Sequence, residues 1–581
     1  MSQDLLPPVA PSVTAELVEA LSPRLRKRLD AGIAKLAARP VVREGDTARI
    51  AVDDDTDLEL HAPGGAVTSA DAIRCGCLLA PDCLHRAAAA SAAPVAEDTP
   101  DSMPAQPTTE GAAQPPDDET AAPAQLAAAR AVYDAAAAVL EAGADGSGAV
   151  LQAELLRAAH TARLAGLPRV AAAAVSVVNG IRAARSADPA HRLPDLVDAL
   201  RTVLGMAHRL PFATGPDLAE LRGSVRQPYT PDGSLRLYGL FSEPVLTTTG
   251  YAGAVTWTAD TEGRLYTVSD VAPGGPGRAT GAADRAVRIG DTALTHRELS
   301  HAGLAVSGAT VSPTGRLGAG AGVRAVRASG AAWSAEPLDR LWAVPVAEQV
   351  ARALGGGGHG LLFLDVTLAG TVREAAGDRL LADCEGRTVR LAVAHDDPAL
   401  PYRDNLRLLA AARGSRLRVV ARLAPGPLPR ALLLAAEHPA RAGDRVDLGL
   451  DRLQHADLPT ATTTAAPASA PPVDEAPLHL LRRRVHQAVS GGRRVLGFPG
   501  SGAGDGGRLR RVGLATAGDL LGELRSAAAD RSRDAFGRLL PADTGRFARA
   551  WLAAAVYTGE VERALCAAAW GADAEMVATS R

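Results

Sequence analysis

Ile73-Arg74-Cys75-Gly76-Cys77-Leu78-Leu79-Ala80-Pro81-Asp82-Cys83-Leu84-His85 holds three of the chain's five cysteines within nine positions. Core cysteines scatter along a sequence, whereas metal ligands cluster. The pattern is Cys-x-Cys, a five-residue gap, then Cys-x-His. Three thiolates and one imidazole are a complete tetrahedral set for one Zn²⁺, and four protein donors leave no open coordination position, so the site reads as structural and not catalytic. The ligating forms are thiolate and neutral imidazole, so zinc binding expels protons. A zinc tris-thiolate carries one net negative charge, which Arg74 and Arg86 are placed to offset. Gly76 reads as the turn residue that lets both flanking sulfurs reach one ion. Pro81-Asp82 reads as a helix start, with Cys83 and His85 in the first turn. His61 stands outside the motif as a competitor to His85. Upstream, 48–52 and 58–61 read as two strands joined across 53–57, giving a small ββα-like unit. So small a unit buries little apolar surface, and the metal is expected to hold it together.

Cys75, Cys77, Cys83 and His85 together resemble the SWIM zinc finger, whose pattern is Cys-x-Cys, a variable gap, then Cys-x-His. The resemblance covers roughly residues 45–90. Beyond it the chain looks like the large actinobacterial SWIM-containing proteins. The resemblance implies a module that contacts nucleic acid or protein, often beside a helicase-like ATPase. Partners implied in this way are DNA or RNA, a helicase-like ATPase, or another protein subunit.

The remainder of the 581 residues bounds these readings. The length implies several domains. Hydrophobic residues make up 47% but aromatics only 3%, so the cores are expected to be helical and built from small side chains. The formal net charge of −3 gives no global signal for nucleic acid. Lysine occurs only at Lys27 and Lys35, which excludes a P-loop ATPase farther along the chain. Three cysteines assigned to metal leave Cys384 and Cys566 as single buried thiols and no disulfide framework. Met1-Ser2-Gln3-Asp4 has neither a basic nor an apolar leader region, and runs such as 170–178 are too short to span a bilayer. A cytoplasmic protein that does not engage a membrane is expected.

The fold class expected is multidomain α+β: a ββα-like zinc finger, a helical bundle, an antiparallel β region, an OB-like barrel and a helical C-terminal region. Residues 15–40 are helical, with Ser22-Pro23 as a cap and first helical residue. Arg24, Arg26, Lys27 and Arg28 read as a solvated helix face. The zinc finger spans 45–90. Residues 91–125 form an acidic Pro/Ala linker without a basic residue, expected to tether the finger loosely. Four helices near 126–143, 149–165, 167–186 and 194–209 form a bundle over 126–212. An antiparallel β domain over 218–350 follows, with a hairpin at 303–328. Over 360–437 the order strand-strand-strand-helix-strand-strand fits an OB-like barrel, though only Phe363 and Tyr402 are available to stack on bases. Residues 456–476 are a Thr/Ala/Pro linker, and 477–581 a basic helical region. There Arg482, Arg483, Arg484, Arg493, Arg494, Arg508, Arg510 and Arg511 are the candidate nucleic-acid contacts, with an exposed helix face as the plain alternative.

Enzyme signatures fail. Gly502-Ala503-Gly504-Asp505-Gly506-Gly507 matches G-x-G-x-x-G without its βαβ setting and reads as a flexible loop. Asp53, Asp55 and Asp57 start like a calcium loop, but Leu58 and Gly64 stand where Gly and Glu are needed. His296 and His301 are five apart, about 140° around a helix, and cannot share a face as a zincin pair does. A binding protein is expected, not an enzyme, and a scaffold that touches no nucleic acid is the alternative to the nucleic-acid module.

Overall fold

The leucines at helical spacing near the N-terminus fold as the pattern requires. Helices Pro11–Ala20, Pro23–Arg26 and Leu29–Ala37 form there, burying Leu17, Leu29 and Leu36. The Ser22 hydroxyl accepts the Leu25 N–H at 3.4 Å, and Pro23 takes the first helical position. This computed structural model describes residues 6–53, 55–96, 119–189, 191–223, 230–247, 251–287, 289–290, 292–318, 322–374, 377–459, 468–469, 477–497, 504–530, 534–538, 540 and 543–572. They fall in two units, Met1–Arg226 with Ala476–Thr558, and Gln227–Glu475 with Gly559–Arg581.

In the first unit, β1 (Val41–Glu44), β2 (Thr47–Asp53), β3 (Thr56–His61) and β4 (Ile73–Cys75) form an antiparallel sheet in that order. Two of these strands were expected and two were not. The period-two alternation turns Ala48, Ile50, Leu58, Leu60 and Ile73 inward, each no more than 1% exposed. They share a core with the N-terminal helices, helix Leu84–Ala92, and Ala149 and Ala153 of helix Ala149–Leu164. The picture of a finger on a loose tether is therefore corrected: the sheet shares an apolar core with a bundle helix and packs on the bundle. The linker's ends are ordered as well: Val9 bridges Val95, and Arg222 pairs with Glu119. Its middle, 97–118, lies outside the described residues.

Helices Pro123–Gly146, Ala149–Leu164, Pro168–Arg185 and Leu193–Arg209 match the four expected segments. Their alanine-rich faces do not close a core alone. Helices His479–Leu496 and Ala515–Ala529 and the first part of Thr544–Trp570 complete it, with Phe547 and Trp551 fully buried. The Trp551 indole donates to the Val485 carbonyl at 3.0 Å. Helices Pro123–Gly146 and His479–Leu496 meet backbone to backbone: a Cβ on Gly143 would lie 2.2 Å from the Gly492 nitrogen. The expected glycine loop is corrected in part, since Asp505–Arg511 is a short helix while Gly502 and Ala503 lie outside the described residues.

In the second unit, β5 (Thr230–Leu246), β6 (Tyr251–Ala259), β7 (Leu265–Pro273), β8 (Gly303–Val311) and β9 (Arg324–Ala328) form an antiparallel sheet of order β7-β6-β5-β8-β9, with β8 and β9 as the expected hairpin. The next strands are β10 (Leu361–Glu374), β11 (Gly377–Cys384), β12 (Arg387–Val393), β13 (Arg416–Leu423) and β14 (Arg430–Glu437). Their order, β11-β12-β14-β13-β10, closes into a ring through a β10–β11 pairing. Strands β12 and β14 run parallel, and helix Tyr402–Ala411 joins β12 to β13. This is the ring an OB-like barrel requires. Short strands β15 (Arg445–Asp447) and β16 (Ala468–Ser469) flank it. Phe363 and Tyr402 are 2% and 3% exposed, so neither can stack on a base. Cys384 and Cys566 are buried and free, as expected. No described helix is long and apolar enough to cross a membrane.

Candidate metal centre

Strand pairing sets the first ligand. On β4, Ile73 pairs with Leu60, Arg74 with Glu59 and Cys75 with Leu58. Alternation puts buried Ile73 and half-buried Cys75 on one face and exposed Arg74 on the other. The chain leaves the strand through Gly76, whose N–H donates to the Asp57 carbonyl at 3.0 Å. The chain does turn away from the strand at Gly76, but the turn does not depend on glycine. The Gly76 φ is not positive, and a Cβ there would meet only the Asp57 backbone at ordinary contact distance, 3.8 Å. A turn from Cys77 to Ala80 brings the loop back, the Ala80 N–H donating to the Cys77 carbonyl at 3.1 Å. Cys83 is the N-cap of helix Leu84–Ala92, one position earlier than a first-turn residue, and His85 lies in that turn.

These elements bring one atom each from Cys75, Cys77, Cys83 and His85 within 4.8 Å of one another. His85 presents Nδ1, 3.7 Å from the Cys75 sulfur. Bonds of about 2.3 Å to sulfur and 2.0–2.1 Å to nitrogen at a tetrahedral angle separate the two donors by about 3.6 Å. Donor identity and spacing thus fit a zinc ion. His61 takes no part: its Nδ1 bonds the Thr47 hydroxyl at 2.9 Å and its Nε2 faces Glu59 at 3.4 Å.

Without an ion, burial pushes the Cys75 thiol up to about 12 and raises Cys83 as well. At Cys77 burial acts in the same direction. Donors from the Leu79 and Ala80 backbone and the two neighbouring thiols outweigh it and hold this thiol below its ordinary value. A divalent cation would relieve the unfavourable packing of three thiolates.

Arg86 has a different part from the one its charge suggested. It is 5% exposed, and its guanidinium donates to the carbonyls of Ala70, Ile73 and Pro81. It ties β4, the loop and the helix start together. Nothing in the sequence marks this role, because carbonyls carry no sequence signature. Leu78 and Leu79, at the loop tip, are 104% and 65% exposed.

Two of the eight C-terminal arginines, Arg484 and Arg493, are buried, and the expected patch is corrected for these two. Consecutive helical residues diverge by about 100°, so 482–484 fan outward and inward. Arg484, 8% exposed, bonds Gln487 at 2.8 Å and Asp505 at 3.3 Å. Arg493, 5% exposed, donates to the Ala527 and Ala528 carbonyls, pairs with Glu141 at 3.2 Å and lies over the Phe547 ring. Both are structural. Arg508 and Arg510 pair with Asp505 and Asp519. Arg482, Arg483, Arg494 and Arg511 are exposed. The apolar stripe Leu481, Val485, Ala488, Val489 and Leu496 was the signal that could have placed Arg484 on the buried side.

Comparison with protein-family models, with curated proteins and with solved structures finds no match for this chain. The Cys3His cluster is consistent with a zinc-finger-like site, and no family is assigned.

Proposed function

We propose that this chain is a non-enzymatic, zinc-binding interaction protein, with a structural ion held by Cys75, Cys77, Cys83 and His85. The observation that carries the reading is the convergence of those four donors within 4.8 Å. Zinc would fix the loop between the β4 end and helix Leu84–Ala92, and with four protein donors it offers no position to a substrate. The loop so fixed presents Leu78 and Leu79 to solvent. Two adjacent exposed leucines on a rigid loop suit an apolar recess on a protein partner better than a phosphate backbone. Arg484 and Arg493, engaged in buried internal contacts, are withdrawn from the set that could meet phosphates. Reduced thiols at a zinc site, with two further buried free thiols, suit a reducing compartment such as the cytoplasm.

Two measurements test this. Metal analysis of the purified full chain should give one zinc per chain, and Cys83→Ser should lose it. Fluorescent single- and double-stranded DNA and RNA, titrated across a salt series, should show no zinc-dependent binding. Binding that weakens steeply with salt and disappears in Cys83→Ser would replace the protein-docking reading with a nucleic-acid one.

A further inference from the structure

The second unit holds a cavity of about 600 Å³ beside the outer edge of β7. Its walls carry three arginines, Arg278, Arg285 and Arg316, against one carboxylate, Asp270, and its apolar lining includes Val268 and Leu317. The size lies within the range of small-molecule sites, about 300–1,000 Å³.

The three guanidiniums differ in what they already do. Arg278 is committed: it pairs with Asp270 at 3.0 Å and donates to the Ala252 carbonyl at 3.0 Å. Arg285 and Arg316 are exposed, and neither side chain has a hydrogen-bond or ion-pair partner among the described residues. Their backbones are nonetheless fixed. Residues 315–317 extend the β7 edge, with Thr267 N–H donating to Gly315 and Leu317 N–H to Thr267, both at 2.9 Å. Next to Arg285, Ala286 bridges Thr295, and the Val287 N–H donates to the Leu294 carbonyl at 2.6 Å. Two unpaired cations held on anchored backbone line one concavity, where an anion can pair with both. Guanidiniums match phosphate oxygens in paired, in-plane hydrogen bonds.

We propose that this cavity binds a small phosphate-bearing molecule. Arg285 and Arg316 grip the phosphate, Arg278 adds positive charge, Asp270 accepts from a hydroxyl or amine of the ligand, and Val268 and Leu317 form apolar walls for its body. The inference is independent of the zinc site and stands or falls separately from it.

Calorimetric titration of the full chain with pyrophosphate and with AMP, at constant ionic strength, tests it, with adenosine as the uncharged control. Pyrophosphate and AMP should bind saturably and adenosine should not. The paired substitution Arg285→Gln with Arg316→Gln should weaken binding by about tenfold or more. Arg324→Gln, on β9 and outside the cavity lining, should leave it unchanged. A second readout needs no variant: pyrophosphate should protect Arg285 and Arg316 of the wild-type chain from phenylglyoxal modification, mapped by mass spectrometry. No binding of either phosphate at millimolar concentration would overturn the proposal. So would binding that survives the paired substitution, or modification of both arginines at an unchanged rate.

Discussion

Substitution of Arg86 by methionine keeps an aliphatic stem and removes the guanidinium that spans Ala70, Ile73 and Pro81. A hydrogen bond from a charged donor is worth about 1.5–3 kcal/mol, and a carbonyl left unsatisfied in the interior costs about 1–3 kcal/mol. The three bonds share one group and are not additive, so the loop should lose roughly 3–6 kcal/mol of local stability. Ala70 and Ile73 precede the first ligand, and Pro81 lies between the second and third. Part of that loss must therefore appear in metal affinity, which should fall by about 10–100-fold, the usual scale for groups that orient ligands. The assay is competition for zinc between reduced apo-protein and a chromophoric chelator at fixed pH, with circular dichroism to confirm that the helices persist. Arg86→Lys should rescue little, because an ammonium group cannot reach three carbonyls in a planar fork. Wild-type zinc affinity in Arg86→Met, or full rescue by lysine, would refute the assignment of Arg86 as the residue that positions the loop.

Three further outcomes are expected. Stripping the zinc, or Cys83→Ser, should expose backbone amides of about 75–86 to hydrogen exchange while helices Pro123–Gly146 and Pro168–Arg185 keep their protection; loss of protection throughout those helices would mean that the apolar core around Ile50, Leu58 and Leu60 does not hold the sheet by itself. Gly492→Ala should destabilise the first unit by at least about 1–3 kcal/mol, because φ 72° and ψ −174° suit only glycine and a Cβ would lie 2.5 Å from the Glu141 carbonyl oxygen; an unchanged denaturation midpoint would contradict the backbone contact. Burial holds the His296 imidazole down at about 4, from an ordinary 6.5. The unfolded chain therefore binds a proton that the folded chain refuses, so the stability present above pH 6.5 is lost as pH falls toward 4, by roughly 3 kcal/mol in all. Denaturation of His296→Asn across that window should show a shallower slope than wild type, and equal slopes would show that His296 is not the group responsible.

Local pattern carried much of this protein. The cysteine spacing picked out all four residues that converge as a possible metal site, because ligands close together in sequence need only a turn and a helix start to converge. Helical periodicity located the four bundle helices, and the alternation of apolar residues located the main strands of both β regions. The succession of strands and helix over 360–437 suggested a barrel, while the β10–β11 and β12–β14 pairings that close it belong to the tertiary structure. What local pattern could not supply was partnership. The C-terminal arginines looked like one surface in a one-dimensional count, yet Arg484 and Arg493 turn inward to Asp505, Glu141 and the carbonyls of Ala527 and Ala528.

The sequence by itself determined the candidate metal-ligand set, the main secondary elements and the α+β class, since each depends on residue type and short spacing. Only the tertiary structure decided that the zinc-site sheet rests on the bundle through Ala149 and Ala153, that helices more than 300 residues apart meet at Gly143 and Gly492, and that Arg86 is an anchor. It also brought Arg278, Arg285 and Arg316 to one cavity. Those facts depend on packing and on backbone carbonyls, which are the same at every position of the chain and leave no mark in its letters.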